Sequence, residues 1–164
     1  SHLNAVINGL EKAGAKFIIS NSKISLISTT EIKPVDIITD IYPGFPTDLQ
    51  AQWIALMSLA NGTSNVTDTI YLDRFTHVPE LIRLGADITM NRNVAIIKGV
   101  DRLFGTQVMS TDIRASASLI IAAIVSHGQS DLSRIYHIDR GYENIENKLS
   151  KLGVNIKRVN DNNY

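Results

Sequence analysis

A chain of 164 residues with 44% hydrophobic content suits one ordinary domain and leaves little room for two. Sixteen Lys plus Arg balance sixteen Asp plus Glu, so no broad positive field is available for non-specific nucleic-acid binding, and any anion site must be local. The absence of cysteine excludes disulfides, thiolate metal sites and a Cys nucleophile within these residues and fits a reducing compartment, while the longest apolar run, 119–125, is far shorter than the roughly 20 residues a membrane helix needs.

In chain order, the first signal is a word that returns twice. Leu10-Glu-Lys-Ala-Gly-Ala-Lys-Phe17 is echoed by Leu81-Ile-Arg-Leu-Gly-Ala-Asp-Ile88 and by Leu149-Ser-Lys-Leu-Gly-Val-Asn-Ile156, at offsets of 71 and 68 residues. After its first occurrence, Phe17 and Ile19, then Ile24 and Leu26, alternate across Asn21-Ser22 as a strand pair. A short strand is expected near 36–39. The segment Tyr42-Pro-Gly-Phe-Pro-Thr-Asp48 then gathers turn formers ahead of an apolar helix, expected over 49–60 and ending near Gly62, with Thr47 or Asp48 as its N-cap.

A strand over 69–72 and a second helix over 78–84, stopped by Gly85, follow; residues 86–96 alternate as another strand pair about Asn91-Arg92-Asn93. The order then starts again, with a strand near 107–109 and a helix over 113–126 capped by Thr111 or Asp112. A strand over 134–138 and a helix over 142–152 stopped by Gly153 complete it. Thr47-Asp48-Leu49-Gln-Ala51 is echoed by Thr111-Asp112-Ile113-Arg-Ala115, and Ile70-Tyr-Leu-Asp73-Arg74 by Ile135-Tyr-His-Ile-Asp139-Arg140. The expected domain therefore spans 1–164, with repeats at about 35–98 and 99–160 and the closing hairpin of a preceding repeat at 15–28. The polar end, 160–164, reads as frayed and Ser1-His2 as a cloning remnant.

Segment 115–125 has no charged residue and is apolar on nearly every face, which predicts burial on all sides, whereas the strand pairs are polar on one face. A helical interior surrounded by sheets satisfies both patterns. A doubly wound parallel sheet would place the continuous apolar runs in its strands instead.

Two readings stand for each candidate site residue. Asp48, on a rigid turn at a helix start, is an N-cap or a carboxylate that accepts a ligand's hydrogen. Asp112 is explained equally by capping, but Arg114 beside it opposes the helix dipole and is eased if an anion sits there. Arg74 and Arg140, each after an aspartate and before a helix, make either a local salt bridge or, with Arg114, a pocket for phosphate or carboxylate. His77, His127 and His137 lack metal-ligand spacing and read as satisfied or exposed, and Trp53 reads as core.

Four long words closely resemble one family: Tyr42 to Asp48, Asp73-Arg-Phe-Thr-His-Val-Pro-Glu-Leu81, Gln107-Val-Met-Ser-Thr-Asp-Ile-Arg-Ala-Ser-Ala117 and Arg134-Ile-Tyr-His-Ile-Asp-Arg-Gly-Tyr-Glu143. They resemble the UDP-N-acetylglucosamine 1-carboxyvinyltransferases of the enolpyruvyl transferase family, in one register over nearly the whole chain. The resemblance implies an α/β fold, the inside-out, barrel-like domain built of βαβαββ units, here truncated to the C-terminal part of the enzyme. It implies transfer of the enolpyruvyl group of phosphoenolpyruvate to the 3-hydroxyl of UDP-N-acetylglucosamine, with release of phosphate, at the first committed step of cytoplasmic peptidoglycan synthesis.

The resemblance also implies roles. Asp48 contacts and deprotonates the hydroxyl, Arg140 binds phosphoenolpyruvate, Arg114 supports its charge, Arg74 lines the closed cleft, Ile70 contacts the sugar nucleotide through its backbone, and Asp112 is an active-site acid without a settled role. No cofactor, metal, nucleic acid or membrane is implied. The other partner is the N-terminal portion of the same enzyme, whose loop delivers a proton, so the fragment is expected to be inactive alone. A stand-alone substrate-binding or structural module and a shikimate-pathway transferase are the alternatives.

Overall fold

The computed structural model describes residues 3–159. The remnant expected at Ser1-His2 and the frayed end expected at 160–164 lie outside them.

Helix α1, Asn4–Lys12, leads into strands β1, Lys16–Ile19, and β2, Ile24–Ile27, which pair antiparallel with Phe17 opposite Leu26. Strand β3, Ile37–Ile38, is followed by a 3-10 turn, Thr47–Leu49, and helix α2, Gln50–Met57. Strand β4, Thr63–Thr67, helix α3, Val78–Arg83, and the hairpin of β5, Asp87–Asn91, and β6, Val94–Lys98, come next. The chain continues through β7, Gln107–Met109, α4, Ile113–Val125, β8, Asp131–Ser133, α5, Tyr136–Asp139, and α6, Ile145–Ser150.

Four strands form a mixed sheet in the order β3-β4-β6-β5, with β3 parallel to β4 and the other pairs antiparallel. Its inward residues, among them Val66, Ala95 and Ile97, pack in one core with Ile54 and Met57 of α2 and Leu119 of α4, all fully buried. The buried sheet positions alternate with half-buried or exposed ones while α2 is buried on most of its surface, so apolar burial places α2 between the sheet and α4. Strands β7 and β8 pair in parallel, with Val108 buried in the same core. Helix α2 and the first part of α4 are interior and the sheets lie outside them, the α/β layering expected above.

Two close approaches fix the helices. Trp53 is buried, with its Nε1 donating to the Val35 carbonyl at 3.3 Å and its ring edge-on to Phe45. Gly9 of α1 lies against that indole, where an added Cβ would stand 2.9 Å from the ring. Gly85 and Gly153 follow α3 and α6 with φ of 98° and 92°, the left-handed conformation that ends a helix without a Cβ penalty.

The structure departs from the expected elements at three places. The strand expected over 69–72 is a turn: β4 ends at Thr67, and the Asp68 carboxylate accepts the Ile70 and Tyr71 amides, bending the chain so that Ile70, Tyr71 and Leu72 face outward. Its counterpart over 134–138 is likewise displaced, because Arg134 takes φ 55° and α5 begins at Tyr136; the strand is Asp131–Ser133 and the helix expected over 142–152 is shortened to α6. Helix α4 is buried from Ala115 to Ile120 but opens at its end, where Ile121, Ile124 and Val125 are exposed, so the prediction of burial on all sides fails for its last turn.

Candidate active site

The start of α4 and the turn after β4 converge on a cleft of 400 Å³, beside which Asp48, ahead of α2, pairs with Arg74 and Arg114. The cleft is lined by Tyr71, Leu72, Asp73 and Arg74 of the turn, by Thr76, and by Asp112 and Arg114 of the α4 mouth. A groove of 640 Å³ elsewhere is lined by Lys12, Lys33, Pro34, Val35, Asp36 and Thr63 and holds no candidate site residue.

At the α4 mouth, Asp112 is the N-cap: its Oδ1 accepts from the Arg114 and Ala115 amides at 2.8 and 3.0 Å, and its Oδ2 accepts from Thr76 Oγ1 at 3.1 Å. Burial raises its pKa, but those amides and the hydroxyl outweigh burial and hold the carboxyl below the usual range. With both oxygens occupied, Asp112 fixes the first turn of α4 and thereby the root of Arg114.

Asp48 behaves differently. Neither it nor Thr47 caps a helix, because the chain enters α2 through the 3-10 turn and Thr47 Oγ1 donates to Asp68 Oδ2 instead. The Asp48 side chain is 63% exposed, and its Oδ1 accepts from Arg114 Nε at 2.6 Å and Arg74 Nη1 at 3.1 Å. Oδ2 accepts no hydrogen bond from any described residue and is open to a ligand. The Arg114 hydrogen bond, aided by the charges of Arg114 and Arg74, holds the Asp48 carboxyl below the usual range against the opposing effect of burial. Asp48 raises the Arg114 pKa in return.

Arg74 Nη1 also donates to Thr47 Oγ1 at 3.2 Å, and its guanidinium lies 3.8 Å from the centroid of the Tyr71 ring. It thus reaches across to Asp48 and does not pair with its neighbour Asp73. The Ile70 amide is taken by Asp68, so the backbone group it can offer a ligand is its carbonyl.

Arg140 stands apart. It is the exposed C-cap of α5 and does not line the cleft with Arg74 and Arg114. The local pair expected with Asp139 is also absent, since Asp139 is held by Arg158 at 2.6 Å, which bridges to Glu146 as well. Three of the six candidates, Arg74, Asp112 and Arg114, therefore line one cleft, Asp48 is joined to it by ion pairs with both arginines, Ile70 stands next to the lining turn, and Arg140 neither lines it nor pairs with these residues.

Two residues that the sequence reading did not single out for the site stand behind it. Asp68 is a buried carboxylate at the end of β4, and His77 is buried with Nε2 unpaired, neither satisfied nor exposed. Burial lowers the His77 pKa from 6.5 to about 4, against the opposing charge of Asp112, which keeps the imidazole neutral. Asp68 carried a signal only as a turn former between two threonines.

A carboxylate clamped by two guanidiniums beside a cleft can accept a hydrogen from a hydroxyl, and the guanidiniums can face an anion. Comparison with known proteins agrees with this class. The profile described as EPSP synthase (3-phosphoshikimate 1-carboxyvinyltransferase) matches residues 1–149, and the chain belongs to that family.

Among its relatives, the UDP-N-acetylglucosamine 1-carboxyvinyltransferase of Aliarcobacter butzleri is 52% identical over 158 residues, which are 96% of this chain and 37% of that protein. The enzyme of the same name from Hydrogenovibrio crunogenus is 53% identical over 160 residues, 97% of this chain and 38% of that protein. The chain thus spans little more than a third of the length of these relatives. Among solved structures, the enolpyruvyl transferase NikO from Streptomyces tendae superposes with a TM-score of 0.88 at 26% identity, over 96% of this chain and 36% of that one. EPSP synthase from Acinetobacter baumannii, at 14% identity and a TM-score of 0.57 over 78% of this chain and 31% of that one, shares the fold.

Proposed function

We propose that the protein containing this chain transfers the enolpyruvyl group of phosphoenolpyruvate to the 3-hydroxyl of UDP-N-acetylglucosamine and releases phosphate, in the cytoplasm, at the first committed step of peptidoglycan synthesis. The observation that carries the reading is the Asp48 carboxylate, ionised by its guanidinium partners through Oδ1 while Oδ2 remains open to a ligand hydroxyl. The family and the 52% identity to an enzyme of that name support the choice of substrates.

The chemistry joins the sugar oxygen to C2 of phosphoenolpyruvate while its C3 gains a proton; C3 then loses a proton as the C2–O bond to phosphate breaks. Asp48 accepts the hydroxyl hydrogen. Arg114 and Arg74 hold it ionised and oriented through Oδ1, and their remaining guanidinium N–H groups face an arriving phosphate or carboxylate. Co-substrate binding and activation of the base are thus linked through the same two side chains. In this reading Arg140 swings toward the same anion from its exposed position, Ile70 offers its carbonyl to the sugar nucleotide, and Asp112 places Arg114.

Proton delivery to C3 falls to the portion of the enzyme beyond this chain's share of its relatives, the remaining partner in the reading, so the isolated chain binds weakly and does not turn over. Segments 35–98 and 99–160 are repeats in the same reading, and 15–28 closes another. The shared strand-helix-strand start of β3-α2-β4-α3-β5-β6 and β7-α4-β8-α5-α6 supports that division.

The test is phosphate release by the protein expressed from the whole reading frame, given phosphoenolpyruvate with either UDP-N-acetylglucosamine or shikimate 3-phosphate. Turnover with the sugar nucleotide alone is expected. Turnover with shikimate 3-phosphate instead would replace the acceptor substrate with that of 3-phosphoshikimate 1-carboxyvinyltransferase.

A further inference from the structure

Asp68 carries a buried carboxylate with no cationic partner among the described residues. Taking such a charge out of water costs several kcal/mol unless its lone pairs are filled. Here they are filled by neutral donors from separate segments. Oδ1 accepts from Thr39 Oγ1 at 2.8 Å and from the Ile70 and Tyr71 amides at 3.0 and 2.9 Å, and Oδ2 accepts from Thr47 Oγ1 at 2.7 Å. Burial raises the Asp68 pKa, and the Tyr71 amide with the Thr47 and Thr39 hydroxyls brings it below the usual carboxylate range, so the group is ionised. The turn amides and Thr39 need only one acceptor oxygen, which a neutral Asn would supply as well. The second oxygen serves Thr47.

That assignment fixes a direction. Because the Thr47 hydroxyl spends its one hydrogen on Asp68, the lone pairs of Oγ1 are left for Arg74 Nη1 at 3.2 Å, and the same Nη1 reaches Asp48 Oδ1 at 3.1 Å. Asp68 also accepts Asn93 Nδ2 on its carbonyl and donates its amide to the Asn93 carbonyl, which ties the point to the β5–β6 turn. The segment ahead of α2, the cleft-lining turn and the sheet meet at one carboxylate. We propose that Asp68 is a positioning residue that acts through the Thr47 hydroxyl to hold Arg74 against Asp48. This deepens the enolpyruvyl-transfer reading and rests on it for its kinetic consequence.

Thr47→Val removes the relay and leaves Asp68 its other three donors; Thr47→Ser restores it; Asp68→Asn keeps the turn acceptor but presents an N–H to Thr47 in competition with Arg74. In the protein expressed from the whole reading frame, Thr47→Val and Asp68→Asn should lower kcat roughly 10- to 100-fold, the scale of a displaced reacting group. KM for phosphoenolpyruvate should change much less, and Thr47→Ser should recover the wild-type rate. In parallel, nitrogen-detected NMR should show the Arg74 guanidinium protected from solvent exchange in wild type and Thr47→Ser and exposed in Thr47→Val.

Wild-type kcat in Thr47→Val and Asp68→Asn, with only a lower melting temperature, overturns the proposal, as does an unchanged Arg74 resonance in Thr47→Val. A wild-type protein that releases no phosphate removes the substrate reading, and the Arg74 resonance then decides the relay by itself.

Discussion

Arg114 Nε and Asp48 Oδ1 meet at 2.6 Å although 66 positions separate them in the chain. The contact joins the mouths of the two central helices, α2 and α4, and puts both charges in water at the cleft rim. An ion pair this exposed contributes about 1 kcal/mol or less to stability, so the proposed base role of Asp48 accounts for its geometry better than the fold does.

Asp48→Asn tests that explanation directly. The amide keeps the size of the side chain but cannot take a proton, and kcat should fall roughly 10²- to 10⁴-fold, the range for loss of a general base. Chemical denaturation of the same variant should change by no more than about 1 kcal/mol. A variant with wild-type kcat would remove Asp48 from the chemistry.

Arg114→Gln separates charge from shape. Arg114 is the first cause of the lowered Asp48 pKa, and without it the carboxyl must move back toward its ordinary value. Because Asp48 works as the ionised form, the acid limb of kcat/KM should shift to higher pH, and KM for phosphoenolpyruvate should rise. An acid limb that stays in place would mean that Asp48 does not set it.

His77 gives the fold a pH dependence of its own. Its folded pKa, about 4, lies below the unfolded value of 6.5, so between these values the unfolded chain binds the proton and the folded chain does not. Stability is therefore complete above pH 6.5 and declines as pH falls toward 4, by about 2 kcal/mol between pH 7 and 4.5. His77→Leu, which also removes the unpaired Nε2, should flatten that slope in urea titrations at the two pH values. Asp48, Asp68 and Asp112 also have lowered pKa values but act in a lower range: they stabilise above ordinary carboxylate pKa values, and their contribution is lost only as pH falls further. An equal slope in His77→Leu would assign the acid sensitivity elsewhere.

What the chain order revealed and what it hid have one physical cause. Helices α2 and α4 and the β5–β6 hairpin were legible because periodicity and glycine stops are local, and the turn before Asp48 announced itself by its prolines and glycine. The turn at 68–72 was misread because Ile70, Tyr71 and Leu72 have strand-like side chains, while the group that bends them is one buried carboxylate. Asp68 draws its partners from Thr39, Thr47 and Asn93, and no window of sequence contains all three. The pairing of Asp48 with Arg74 and Arg114 is similarly non-local, so the sequence named the residues without naming the clamp.

Gly99 tests the packing beneath the site. It follows β6 and crosses the chain just after α2, where an added Cβ would stand 1.7 Å from the Ala60 carbonyl oxygen. Neither backbone can yield cheaply, because Gly99 donates its amide to the Gly62 carbonyl at 2.9 Å and Val100 donates to the Ser58 carbonyl at 2.9 Å. Gly99→Ala must therefore separate the end of α2 from the sheet, and a loss of roughly 2–4 kcal/mol is expected in chemical denaturation, the range of severe overpacking. Gly153→Ala is the matched control: nothing lies within 4 Å of its Cβ, and only its φ of 92° resists, at about 1 kcal/mol. Because α2 carries the Asp48 turn at its other end, Gly99→Ala should also lower kcat per folded molecule, whereas Gly153→Ala should not. Equal stability of the two variants would show that the α2–sheet junction is looser than its hydrogen bonds imply.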